Sequence, residues 1–174
     1  MRRLFASTLA GLILPAALAG LAMAAQGTEP ALVIFFCGKR HGQMESCGCK
    51  AKQEGGVANE APLYEKHGRG PADLRLDAGE WLERTASSNP MSAFRSRYML
   101  RALARLDYDV VNMALSDAQM PRAYYASLAE KRPQAFELLI SANIFLKKNP
   151  EKLAYPAYRI VEKKLADGRA VRIG

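Results

Sequence analysis

The chain has 174 residues, with 25 Lys+Arg against 17 Asp+Glu and a formal net charge of +8. Hydrophobic residues make up 49% and charged residues 24%, which excludes a disordered, collagen-like or coiled-coil protein. The length fits one domain.

The first residues change that arithmetic. Met1-Arg2-Arg3 is a short positive head, Leu4 to Ala25 carries no charge, and Ala22-Met23-Ala24 closes the run with small residues. The pattern is that of a secretory signal peptide, residues 1–24, rather than a membrane anchor. Gly11, Pro15 and Gly20 interrupt the run, and no basic stop-transfer cluster follows. Cleavage near Ala24 leaves one mature domain, 25–174, of about 150 residues and a charge of about +6. The expected location is periplasmic or secreted, without membrane contact after cleavage. Export argues against nucleic acid as the target of the surplus charge. It favours an anionic small molecule, an anionic envelope surface or an acidic partner. Three cysteines, Cys37, Cys47 and Cys49, lie in the exported part. An odd count in an oxidising compartment leaves one thiol over unless it pairs between chains or binds a metal.

In chain order, Ala31 to Cys37 is an apolar, β-rich run that reads as a strand buried on both faces. Gly38 to Gly56 has five glycines and no periodicity, so it reads as a long, functional loop. Val57 to His67 is weakly helical, and Asp73 to Asp77 is a short strand. Asn89-Pro90 supplies an N-cap followed by proline at the first helical position. Phe94, Tyr98, Ala102, Leu103 and Leu106 then recur at helical spacing, with Arg95, Arg97, Arg101 and Arg105 on other faces as a solvated surface. Asp109 to Ala114 reads as a buried strand, Pro121 to Lys131 as a helix, and Phe136 to Ile140 as a further strand. This alternation predicts an α/β sheet with crossover connections. Asp167-Gly168, between Tyr158–Leu165 and Ala170–Ile173, signals a C-terminal β-hairpin.

Sites of open α/β sheets form at the carboxyl ends of the strands. The first strand delivers Cys37, Gly38, Lys39, Arg40 and His41 there, then Cys47-Gly48-Cys49. The second delivers Asp77-Ala78-Gly79-Glu80, and the third Ser116-Asp117. Cys47 and Cys49 suit one soft metal, zinc or copper, or a small, easily reduced disulfide. His41 or Cys37 completes such a shell. Taken alone, Cys37 reads as a small buried residue at a strand end, and His67 as solvated surface.

The order of these motifs resembles the N-terminal metallophosphoesterase domain of the periplasmic 5′-nucleotidase/UDP-sugar hydrolase family, in the calcineurin-like superfamily. Cys37-Gly38-Lys39-Arg40-His41-Gly42 stands where that family has Asp-x-His-Gly. Gln53-Glu54-Gly55-Gly56-Val57 resembles the Gly-Gly segment opening the first helix. Leu76-Asp77-Ala78-Gly79-Glu80 stands at the Gly-Asp metal motif. Ala102 to Asp109 resembles the helix end before the Gly-Asn-His-Glu motif, and Ile140-Ser141-Ala142-Asn143-Ile144 the Ser-Ala-Asn segment. The resemblance implies a partial calcineurin-like sandwich, incomplete at the C-terminus, and a chemistry of two divalent metals that activate water.

The departures from that pattern are equally specific. Lys39 replaces the first Asp ligand and Glu80 the bridging Asp, while Leu115-Ser116 replaces the Asn-His pair. A nucleotidase-like branch with Cys or selenocysteine in the first loop resembles this chain in its Cys-Gly-Cys. Three readings follow. The first is an exported pseudoenzyme with a degraded di-metal site, thiol chemistry at Cys47 and Cys49, and metal-capable His41, Cys37, Glu80 and Asp117. The second is a residual manganese-dependent phosphoesterase acting on nucleotides or phosphate esters through His41, Glu80, Asp117 and Asn143. The third is a truncated binding module without catalysis. A redox partner or a self-dimer is the expected company.

Overall fold

The computed structural model describes residues 32–46, 48, 55–68, 70–84 and 88–174. Residues 1–24, expected to be a signal peptide, and both Cys47 and Cys49 lie outside the described residues.

Four short strands form the central sheet: β1 (Ile34–Cys37), β2 (Leu74–Asp77), β3 (Val110–Asn112) and β4 (Leu139–Ile140). They lie in the order β1-β2-β3-β4 and every neighbouring pair is parallel. Each crossover carries helix, as parallel pairing requires. A 3₁₀ turn (Val57–Asn59) and α1 (Glu60–His67) link β1 to β2, and α2 (Pro90–Arg105) links β2 to β3. Between β3 and β4 run α3 (Leu115–Ala118), α4 (Arg122–Lys131) and α5 (Pro133–Phe136). Two antiparallel hairpins follow: β5 (Phe145–Leu146) with β6 (Asn149–Leu153), and β7 (Val161–Lys164) with β8 (Ala170–Ile173). The Asp167-Gly168 turn joins the last pair, with Gly168 at φ 86°. The class is α/β, as the sequence predicts. Among the described residues no helix is long and apolar enough to cross a membrane.

Helix α2 starts where its local chemistry dictates. The Asn89 side chain accepts from the amides of Met91 (2.9 Å) and Ser92 (3.4 Å), and Pro90 occupies the first turn. Its buried stripe is Ser92, Ser96, Met99, Leu100 and Leu103, which corrects the phase expected from the apolar residues. Ser92 and Ser96 lie on the buried side, and Phe94 and Tyr98 stand outward as an exposed pair with ring centroids 5.0 Å apart. The stripe packs with Trp81, Leu82, Val111, Met113 and Leu139 to form the core.

Two further expectations are corrected. Strand β1 is not buried on both faces, since Ile34 is 53% and Phe36 82% exposed. It is an edge strand, and only the Phe35 side packs against the core. Phe136 belongs to α5, because Pro133 starts a helical turn that leaves only Leu139 and Ile140 to pair with β3. On the other face of the sheet, Leu76, Val110 and Ile140 border an open apolar cavity of about 470 Å³ with Tyr158, Val161 and Ile173.

Candidate functional site at the strand ends

Past their last paired residues, β1 and β2 remain laced together by main-chain hydrogen bonds. Ala78 N donates to Cys37 O (2.7 Å), Lys39 N to Gly79 O (2.8 Å), His41 N to Glu80 O (2.9 Å) and Gly42 N to Trp81 O (3.1 Å). This ladder sets His41 beside Glu80, with Nε2 and Oε2 3.7 Å apart. Both side chains are partly open to solvent, 39% and 25% exposed. Lys39, His41 and Glu80 all adopt left-handed backbone, at φ 55°, 48° and 58°. Such conformations in residues with a Cβ cost of order 1 kcal/mol each and gather at functional sites. Gly79, at φ 104°, is required by close approach: a Cβ there would lie 2.9 Å from that of Ala114.

The polar groups next to this pair in sequence are committed. Arg40 is buried and donates from Nε to Asp77 Oδ2 (2.6 Å). Its other nitrogens meet Glu60 and the Tyr108 hydroxyl. Glu60 Oε2 also accepts from Tyr64 and Tyr108, both at 2.8 Å. Burial alone would lower the Arg40 pKa, but the hydrogen bond and charge of Asp77 hold it above its ordinary value. The remaining Asp77 oxygen accepts from Gly79 N at 2.8 Å. Burial, with the bonded Tyr64 hydroxyl, pushes the Tyr108 phenol far up, so it stays a donor.

Asp117, from α3, is fully buried and ties three segments together. It accepts from the amides of Glu80 (2.8 Å), Leu82 (2.9 Å) and Ala114 (2.9 Å). Burial raises its pKa to about 6 against the pull of these amides. Cys37 is a free, half-buried thiol at the end of β1. Ser116 is buried with its hydroxyl unpaired, as is His41 Nδ1. Asn143 is exposed and accepts from Ser141 Oγ at 3.0 Å.

The loop that carries Cys47 and Cys49 is closed at its base. Val57 N and Ala58 N donate to Gln43 O (3.3 Å) and Met44 O (3.0 Å). A Cβ on Gly56, at φ 81°, would lie 2.3 Å from the Glu45 carbonyl. Only glycine lets the returning chain lie this close to the outgoing one.

Of the sequence-derived site residues, His41 and Glu80 come together, while Cys37 and Asp117 serve elsewhere on the same rim. Among the described residues no three His, Cys, Asp or Glu side chains are grouped to hold a metal ion. Among the described residues Lys39 is a solvent-facing cation, Asp77 neutralises Arg40, and Asp117 is engaged with three amides. Sequence reasoning missed the Arg40–Glu60–Tyr64–Tyr108 network. An arginine in a glycine-rich loop carries no local signal of burial, and its partners lie 20 and 68 residues away.

No family model matches the chain, and no curated protein does. A solved structure does: the calcineurin-like phosphoesterase YfkN from Bacillus subtilis, at TM-score 0.52 and 18% identity over 82% of this chain. The chain spans 46% of the length of that structure. The likeness shows a calcineurin-like phosphoesterase fold in partial form.

Proposed function

We propose that this chain is an exported, nucleotidase-like member of the phosphoesterase fold that has lost two-metal hydrolysis and carries thiol chemistry at the same rim. Cys47 and Cys49, with His41 or Cys37 as an additional ligand, act as a redox pair or hold zinc or copper. The observation that supports this reading is the commitment of the rim carboxylates. Asp77 and Asp117 are bound to structural partners, which leaves His41 and Glu80 as the accessible pair. The segment that carries Cys-Gly-Cys leaves the rim at Gln43, just after His41, and returns at Gly56, which closes its base. In an oxidising compartment two thiols separated by one glycine form a strained disulfide that a dithiol donor readily reduces.

The test is non-reduced mass spectrometry of the secreted protein with thiol alkylation and metal analysis. The expected result is cleavage near Ala24 and two thiols that become alkylatable only after reduction or metal removal. Loss of that difference in Cys47→Ser completes the case. A protein with all three thiols freely alkylated and neither zinc nor copper retained sinks it.

A second reading, residual phosphoesterase activity, is favoured by the His41–Glu80 approach and the fold. Manganese-dependent phosphate release from a panel of nucleotides, lost in His41→Ala and Glu80→Ala, is what it requires. A silent panel removes it.

A further inference from the structure

Helices α2 and α4 form a second feature, which shares no residue with the rim. Between them runs a groove of about 690 Å³. Both helices are crossovers of one parallel sheet, so they run in the same direction, and the Tyr124 hydroxyl donates to Ser96 O at 3.1 Å to fix their register. Residues therefore advance together along the two walls, and the groove has two unlike ends. At the start lie Ala93, Phe94, Met120 and Pro121; at the far end lie Arg101, Lys131 and Arg132, with Arg97 between. From Ala93 to Arg101 the α2 wall extends about 12 Å, the reach of about four extended residues.

The charge is one-sided. No Asp or Glu lines this groove among the described residues, and none pairs with its four cations. Arg101 already lies over the Tyr98 ring, 5.3 Å from its centroid, which presents the guanidinium along the wall. Phe94 and Tyr98, the two aromatic residues of α2, stand exposed. Met120 and Leu128, on the floor, are recessed from the surface.

We infer that this groove docks an acidic peptide segment of a partner protein, with one aromatic or aliphatic anchor seated between Phe94 and Met120. Its carboxylates run toward Arg97, Arg101, Lys131 and Arg132. Charge complementarity carries the choice of occupant. A second copy of this basic chain would bring like charge to the cationic rim. A bilayer surface reaches exposed side chains but not a recessed floor, whereas a peptide side chain does. Four cations spread over two helices match a row of carboxylates better than a single anionic group. The aromatic wall supplies the anchor that concentrates affinity in such interfaces.

The test is fluorescence anisotropy on the full chain. The probes are labelled acidic octapeptides of Asp, Glu and Gly, with one Trp placed at each position in turn. The expected result is binding in the range of about 10–100 µM at low salt for a subset of Trp positions, weakened about tenfold by raised salt. Arg97→Glu with Arg101→Glu weakens it by about tenfold or more, and so does Lys131→Glu with Arg132→Glu on the opposite wall. The second pair guards against misfolding of the first. Replacing Trp by Gly costs about fivefold or more. Equal binding by both charge-reversed proteins, or no binding by any peptide, overturns the inference. Binding of phosphatidylglycerol vesicles or oligothymidylate in place of the peptides overturns it too.

Discussion

Two layers of the strand-end rim use the same residue types for opposite ends. In the upper layer His41 and Glu80 stand 3.7 Å apart, partly exposed, on left-handed backbone. In the lower layer Arg40, Asp77, Glu60, Tyr64 and Tyr108 are closed into one another, and Asp117 is fully buried among three amides. The difference teaches that a titratable residue near a strand end is not thereby a ligand. What decides is whether its hydrogen-bonding capacity is already filled. Filled groups hold the loops in place; the unfilled pair is what a substrate or metal can reach.

The comparison breaks most sharply at Arg40. Arg40→Leu leaves Asp77 and Glu60 as uncompensated carboxylates, and a loss of about 3–5 kcal/mol in denaturant unfolding is expected. A loss under about 1 kcal/mol would show the lower layer to be dispensable. Asp117→Ala strands three buried amides and is expected to cost about 3 kcal/mol.

Asp117 also carries a pH signature. Its folded pKa, raised by burial to about 6, lies above the 3.8 of an ordinary aspartate. The folded state thus holds the proton more tightly than the unfolded state. Relative to Asp117→Asn, the wild type should gain stability as pH falls from 7 through 6 toward 4, and lose it on the return. Parallel stability curves for the two proteins across that window would refute the assignment.

Gly56→Ala drives a Cβ against the Glu45 carbonyl at positive φ. A loss of about 2 kcal/mol is expected, read by thermal unfolding. The upper layer gives the smallest effect. His41→Ala is expected to change stability by no more than about 0.5 kcal/mol, since an exposed pair contributes little. Glu80→Gly should be neutral or gain up to about 1 kcal/mol by relieving the left-handed backbone, measured by the same unfolding. A large loss in either variant would merge the two layers into one.

Much of the architecture was legible in the residues. Asn89-Pro90 placed the start of α2, Asp167-Gly168 placed the last hairpin, and the strand–helix alternation predicted the parallel sheet. What escaped has a common physical origin in tertiary context. The apolar run Ile34–Cys37 could not reveal that its strand lies at the sheet edge. Serine at 92 and 96 reads as polar, yet both are buried on the inner side of α2. Phe94 and Tyr98 read as core and instead line a groove. His41 and Glu80 could be placed at one rim from the sequence because their motifs fall just after strands. The partners of Arg40 were not, because nothing local links residue 40 to residues 60, 64 and 108.

The closed base at Gln43–Ser46 and Gly55–Ala58 has a consequence for how this chain can change over time. A segment whose two ends are pinned side by side can be lengthened, shortened or replaced with little thermodynamic effect. Each doubling of such an insert adds only about 0.6 kcal/mol of closure entropy. The scaffold and whatever residues the insert carries are thus separable inheritances. The sheet can be kept while the insert is exchanged, as one changes a tool in a fixed handle.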